Sequence, residues 1–103
     1  MIKAVLIEDE KLLRKELILT TPWNQLGCEL LGEAENGLDG LALILRIKPH
    51  IIITDINMPG MDGLTMIQKA QSRDYQPKVI LLTGHSDFEY ARKALRLGVI
   101  EYL

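Results

Sequence analysis

Short apolar runs alternate along this chain with stretches whose apolar residues recur at helical spacing, and that alternation limits the folds open to it. Ile2–Ile7 is nearly all apolar and ends in Glu8-Asp9-Glu10. Leu12, Leu13, Leu17 and Ile18 follow at helical spacing, which predicts a helix over Lys11–Leu19 that Pro22 terminates. Cys28–Ala34 reads as a second strand. After the Asn36-Gly37 break, Leu38, Leu41, Ala42 and Leu45 form a second helical stripe, closed by Pro49. Ile51–Thr54 is apolar on both faces and ends in Asp55. Asn57 through Gly63 is dense in turn residues, and Asp62 is placed to cap a helix carrying Leu64, Ile67 and Ala70. Val79–Leu82 ends in Thr83. Ser86 or Asp87 then starts a helix with Phe88, Ala91, Ala94 and Leu95, which Gly98 stops, and Val99–Leu103 opens a fifth strand.

Strands that are apolar on both faces and separated by helices imply a parallel sheet covered on both sides. Right-handed crossovers then leave few topologies. The simplest is a doubly wound α/β, flavodoxin-like sheet of strand order 2-1-3-4-5. Composition agrees with one small folded domain: 103 residues, 48% hydrophobic and 25% charged. Net charge is −2, and the twelve Lys and Arg are dispersed, so a direct nucleic-acid footprint is not expected. No apolar run approaches the ~18 residues of a membrane span. The single Cys28 excludes an internal disulfide framework and is expected to be a small core residue. A cytoplasmic location is the expectation.

In such sheets ligands bind beyond the carboxyl ends of the strands. Three acids stand there: Glu8 and Asp9 after the first strand and Asp55 after the third. Two carboxylates ~5 Å apart at an effective dielectric of ~20 repel by about 3 kcal/mol. Such a cluster persists when a cation offsets it or when one acid keeps its proton. Hard oxygen ligands without a Cys or His cluster favour Mg²⁺, which often bridges to phosphate oxygens. Thr83 adds a hydroxyl at the same edge. The residues alone therefore point to a divalent-cation site for phosphoryl chemistry, with one carboxylate as nucleophile. Taken singly, each has an ordinary reading: an acidic helix start, a strand-end turn residue, a strand threonine. Trp23 reads as a loop packed on the helices and His85 as a solvated loop residue.

The chain resembles a bacterial response-regulator receiver domain. The resemblance rests on Val5-Leu6-Ile7-Glu8-Asp9-Glu10, on Thr54-Asp55-Ile56-Asn57-Met58-Pro59-Gly60-Met61-Asp62-Gly63, on Leu81-Leu82-Thr83-Gly84, and on Gly98 through Tyr102-Leu103, and spans essentially residues 1–103. The stretches Trp23–Gly27, Gly32–Gly37 and Asp87–Ala91 resemble the subgroup whose receiver precedes an AraC-type DNA-binding domain, which this sequence does not contain.

The resemblance implies a role for each matching residue. Asp55 accepts the phosphoryl group and ligates Mg²⁺. Asp9 ligates it directly, Glu8 through water, and Asn57 through its backbone carbonyl. Thr83 contacts the phosphoryl group and Tyr102 is the aromatic switch. The implied partners are a sensor histidine kinase carrying phosphohistidine, the chain's own effector domain and, in a homodimer, a second copy. Membrane and direct DNA contacts are not implied.

Two departures stand out. Glu8 occupies a position where the family usually has Asp. The family's phosphate-binding lysine and its last helix would fall beyond Leu103, so an incomplete receiver is expected, with an exposed apolar face beside the last strand. An alternative function follows, a docking-only pseudo-receiver that accepts no phosphoryl group. A phosphatase of the haloacid dehalogenase type wants a second acid two positions after its nucleophile, where Asn57 stands. A nucleotide module wants a glycine-rich phosphate loop, and none is present.

Overall fold

A computed structural model describes residues 1–82 together with the backbone of residues 101–102. Its elements are β1 (Ile2–Ile7), α1 (Lys11–Thr20), β2 (Cys28–Ala34), α2 (Gly37–Ile47), β3 (Ile51–Asp55), α3 (Gly63–Ala70), β4 (Lys78–Leu82) and β5 (Glu101–Tyr102). The strands are parallel and ordered β2-β1-β3-β4, with β5 beside β4. This is the doubly wound, flavodoxin-like order expected from the alternation. Ile7 pairs with Thr54 and Asp55 with Leu82, so the strands end at nearly one level and their following residues share one edge. The helix predicted over residues 86–97, Gly98, His85 and the last helix of the family lie outside the described residues.

The two faces of the sheet close differently. Alternation sends Val5, Ile7, Ile52, Val79 and Leu81 to one face, where they pack with Leu43 and Ile44 of α2 and Leu64, Met66 and Ile67 of α3. Ile56 and Met58 of the loop after β3 join this core. On the other face α1 and the following loop bury Ala4 and Leu6. Ile51, Ile53, Ile80 and Leu82 are half-buried there and line an apolar groove of about 380 Å³ with Leu17 and Trp23. Trp23 packs as expected, its indole N–H donating to the Ile18 carbonyl at 3.0 Å. Cys28 is buried and free of any disulfide.

The predicted stripe of α3, Leu64, Ile67 and Ala70, is buried, whereas those of α1 and α2 require correction. In α2 the buried residues are Gly37, Gly40, Leu43 and Ile44, whereas Leu38 is 69% exposed and Leu45 also faces water. Nearly every side chain of that helix is apolar, so spacing alone does not select the inward face. Gly40 does: a Cβ there would meet the Met66 sulfur at 2.7 Å and Ile7 Cγ1 at 2.9 Å, so only glycine lets α2 approach the sheet and α3 this closely. In α1 Leu12 is 82% exposed, and the buried residue is Arg14, on the same side as the half-buried Leu17 and Ile18.

Candidate functional site

The loops after β1 and β3 bring three acids together at the carboxyl edge. One carboxylate oxygen from each of Glu8, Asp9 and Asp55 lies within 4.8 Å of the others. Glu8 is 1% exposed, while Asp9 and Asp55 are half-buried. Burial, a side-chain hydrogen bond with Asp9 and the nearby charges of Asp55 and Asp9 push the Glu8 carboxyl up to about 7, against a weaker lowering by the Glu10 amide. Of the two ways to hold such a cluster, cation or proton, the proton is favoured most at Glu8, the buried member.

The backbone around these acids is tightly specified. The Glu8 N–H donates to the Ala34 carbonyl of β2 at 3.0 Å. The Glu10 N–H donates to Glu8 Oε2 at 3.3 Å. The Asp55 carboxylate is oriented by its neighbour, Oδ1 accepting the Ile56 N–H at 2.7 Å. Beyond it the chain turns back: the Gly63 N–H donates to the Ile56 carbonyl at 2.8 Å, and Asp62 caps α3 as predicted, its Oδ1 accepting the Thr65 N–H at 2.7 Å. This loop presents Asn57 to solvent two residues past Asp55 and tucks Ile56 and Met58 inward.

Of the sequence-derived site residues, the structure thus brings Glu8, Asp9 and Asp55 into one cluster and places Asn57 on the adjoining loop. Thr83 lies outside the described residues, and of Tyr102 only the backbone is described, paired beside Leu81. Two residues beside the site escaped the sequence reading. Arg14 is 9% exposed, donates from Nη1 to the Glu8 carbonyl at 2.6 Å and from Nε to Glu33 Oε1 at 2.9 Å. The available signal was position: Arg14 precedes Leu17 and Ile18 by three and four residues, on the helix side that turns inward.

The donor set suits a hard, oxygen-seeking cation. Three carboxylates converge, no thiol or imidazole stands with them among the described residues, and the buried member is driven toward its protonated form by burial and, less strongly, by its acidic neighbours, whose charge a divalent cation would offset. Acids at the strand ends of a doubly wound parallel sheet define a class of α/β protein whose ligand site lies at that edge.

Comparison with known proteins narrows that class. Residues 4–103 match the response regulator receiver domain, and the chain belongs to that family of signalling domains. It is 40% identical over its whole length to the uncharacterized transcriptional regulatory protein YesN of Bacillus subtilis, of which it covers 28%. Its fold is similar to a two-component transcriptional regulator AraC from Clostridium phytofermentans, with a TM-score of 0.87 at 29% identity, covering 100% of this chain and 80% of that one. It is also similar to the REC domain of AraT, a response regulator from Geobacillus stearothermophilus, with a TM-score of 0.81 at 35% identity over 98% of this chain and 78% of that one. This chain is thus the receiver domain of a two-component response regulator whose relatives include transcriptional regulators, and it spans well under half the length of YesN. No helix among the described residues is long and apolar enough to cross a membrane.

Proposed function

We propose that this domain is a phosphorylation switch in which Asp55 accepts a phosphoryl group from a phosphohistidine of a sensor histidine kinase, with Mg²⁺ bound at the acidic cluster. The convergence of Glu8, Asp9 and Asp55 within 4.8 Å at the carboxyl edge carries this reading. Asp9 and Asp55 would hold the ion directly, Glu8 through water, and Asn57 through its main-chain carbonyl. The bound cation supplies neutralisation of charge on the transferring phosphoryl group.

The chain's own groups do the rest. The Ile56 N–H donates to Asp55 Oδ1 and orients the carboxylate, whose other oxygen would act as the nucleophile. It forms a bond to phosphorus as the phosphorus–nitrogen bond breaks, and the electron pair returns to the imidazole nitrogen. The product is an acyl phosphate on Asp55, and no substrate is turned over. Thr83 would donate its hydroxyl to the phosphoryl group, and Tyr102 would turn inward with it. Phosphorylation then biases a two-state equilibrium of this surface. In the cytoplasm the altered surface would pair two copies and regulate an AraC-type DNA-binding domain on the same polypeptide. The resemblance of the Trp23–Gly27 and Gly32–Gly37 stretches supports that effector class.

The test is intact-mass spectrometry after incubation with phosphoramidate and Mg²⁺. One added phosphoryl group, absent in Asp55→Asn and in chelator, is the expected result. Label that survives in Asp55→Asn overturns the assignment of Asp55. No label at all favours the docking-only alternative, and steady release of phosphate from a phosphomonoester favours a phosphatase.

A further inference from the structure

Arg14 is the one side chain that α1 buries, and its hydrogen bonds go to backbone and to another strand, not to the acidic cluster itself. Its Nη1 holds the Glu8 carbonyl, and its Nε is held in turn by Glu33 of β2. The Glu8 N–H reaches the next residue of β2, Ala34, at 3.0 Å. Both peptide groups flanking the Glu8 side chain are therefore tied to the end of β2. The Glu8 carbonyl and the Asp9 N–H belong to one planar unit, so fixing the oxygen fixes the plane from which the Asp9 side chain departs. The Arg14 N–H also closes the first turn of α1 on the Glu10 carbonyl at 2.9 Å, so one residue brackets the Glu8–Glu10 corner from both ends. The planar guanidinium suits this task because it offers two donors at a fixed angle, which an ammonium does not.

We propose that Arg14, braced by Glu33, is a positioning residue that holds Glu8 and Asp9 in the geometry needed for divalent-cation binding. It acts through the backbone, not by placing its charge on the carboxylates. The inference rests on the cation-binding reading above. Its first readout needs no metal: in metal-free protein, the Glu8, Asp9 and Glu10 amide resonances and their hydrogen exchange are compared in wild type, Arg14→Lys, Arg14→Ala and Glu33→Gln. The second readout is calorimetric titration of each with Mg²⁺ alone. Ile44→Val, in the core on the other side of the sheet, serves as a control for lost stability.

Arg14→Lys keeps the charge and should still lose about tenfold in Mg²⁺ affinity, the scale seen when groups supporting metal ligands are removed. It should also shift all three amides. Glu33→Gln, on a half-exposed side chain, should show a smaller change of the same kind and keeps the test open should Arg14→Ala not fold. Wild-type affinity and amide shifts in Arg14→Lys overturn the proposal, as do affinity losses that Ile44→Val reproduces. Absence of Mg²⁺ binding by the wild type refutes the cation site instead, and the metal-free amides then still decide whether Arg14 positions the corner.

Discussion

The two edges of the sheet treat polar groups in opposite ways. At the amino edge they satisfy one another. The His50 N–H donates to the Lys3 carbonyl, the Lys3 N–H to His50 Nδ1, and the Lys78 N–H to the His50 carbonyl, each at 2.9 Å. One residue thereby ties the starts of β1, β3 and β4. The Tyr75 hydroxyl donates to the Pro49 carbonyl at 2.7 Å, and the Lys48 ammonium sits 4.8 Å from the Tyr75 ring centroid. At the carboxyl edge, three acids face each other and one is driven toward protonation. Strand starts hold the sheet together, while strand ends carry an electrostatic strain that a cation would relieve. The bonds that join the strands and the candidate site thus lie at opposite ends of the same strands.

The sharpest way to break the carboxyl edge is through its backbone. A Cβ at Gly63 would collide with the Asp55 carbonyl and approach the Ile56 Cα to 3.2 Å. Neither neighbour is a flexible side-chain tip, so α3 or the end of β3 must move. Gly63→Ala should lower stability by about 3 kcal/mol in urea denaturation and weaken Mg²⁺ binding together with it. A stability loss without any change in Mg²⁺ affinity would show that α3 moves and Asp55 does not.

The next effect tests the strain itself. Glu8 has its folded-state carboxyl raised from 4.5 to about 7. Below the ordinary value both folded and unfolded chains carry the proton, and its contribution is fully present. As pH rises from 4.5 to about 7, the unfolded chain releases the proton first, so stability falls through that window and levels off above it. The loss attributable to Glu8 should be about 3 kcal/mol in chelator. Glu8→Gln should remove this component, and Mg²⁺ should reverse it, since the ion competes with the proton. Urea melts at a series of pH values, with chelator or with Mg²⁺, measure both. An identical slope in wild type and Glu8→Gln would assign the strain elsewhere.

Much of the architecture was readable because several local signals coincided. Turn residues bounded every apolar run, and runs apolar on both faces required a parallel sheet, whose carboxyl edge then had to gather Glu8, Asp9 and Asp55. What escaped reading was which way α1 and α2 face. The apolar residues of α2 surround it, so close packing around Gly40, a contact distant in sequence, chooses the face. In α1 an arginine turns inward and a leucine outward because Glu33 and the Glu8 carbonyl together satisfy the guanidinium, a compensation supplied by another strand. Sequence spacing marks the acids of a candidate site more readily than the groups that hold them, because the latter are identified only by their partners in space.

The smaller predictions concern the amino edge and should leave the acids untouched. Tyr75→Phe removes the hydroxyl that donates to the Pro49 carbonyl and should lower stability by about 1 kcal/mol. The hydroxyl is itself pushed up to about 12 by burial, so it stays a donor across the physiological range. His50→Ala keeps both backbone bonds of that residue and loses only the acceptor for the Lys3 N–H. That bond is exposed, water replaces it, and the expected loss is about 0.5 kcal/mol. In both variants Mg²⁺ affinity by calorimetry should remain at the wild-type value. A weakened affinity in either would show that the strand starts and strand ends are coupled through the sheet, and that the division of labour between the two edges is not complete.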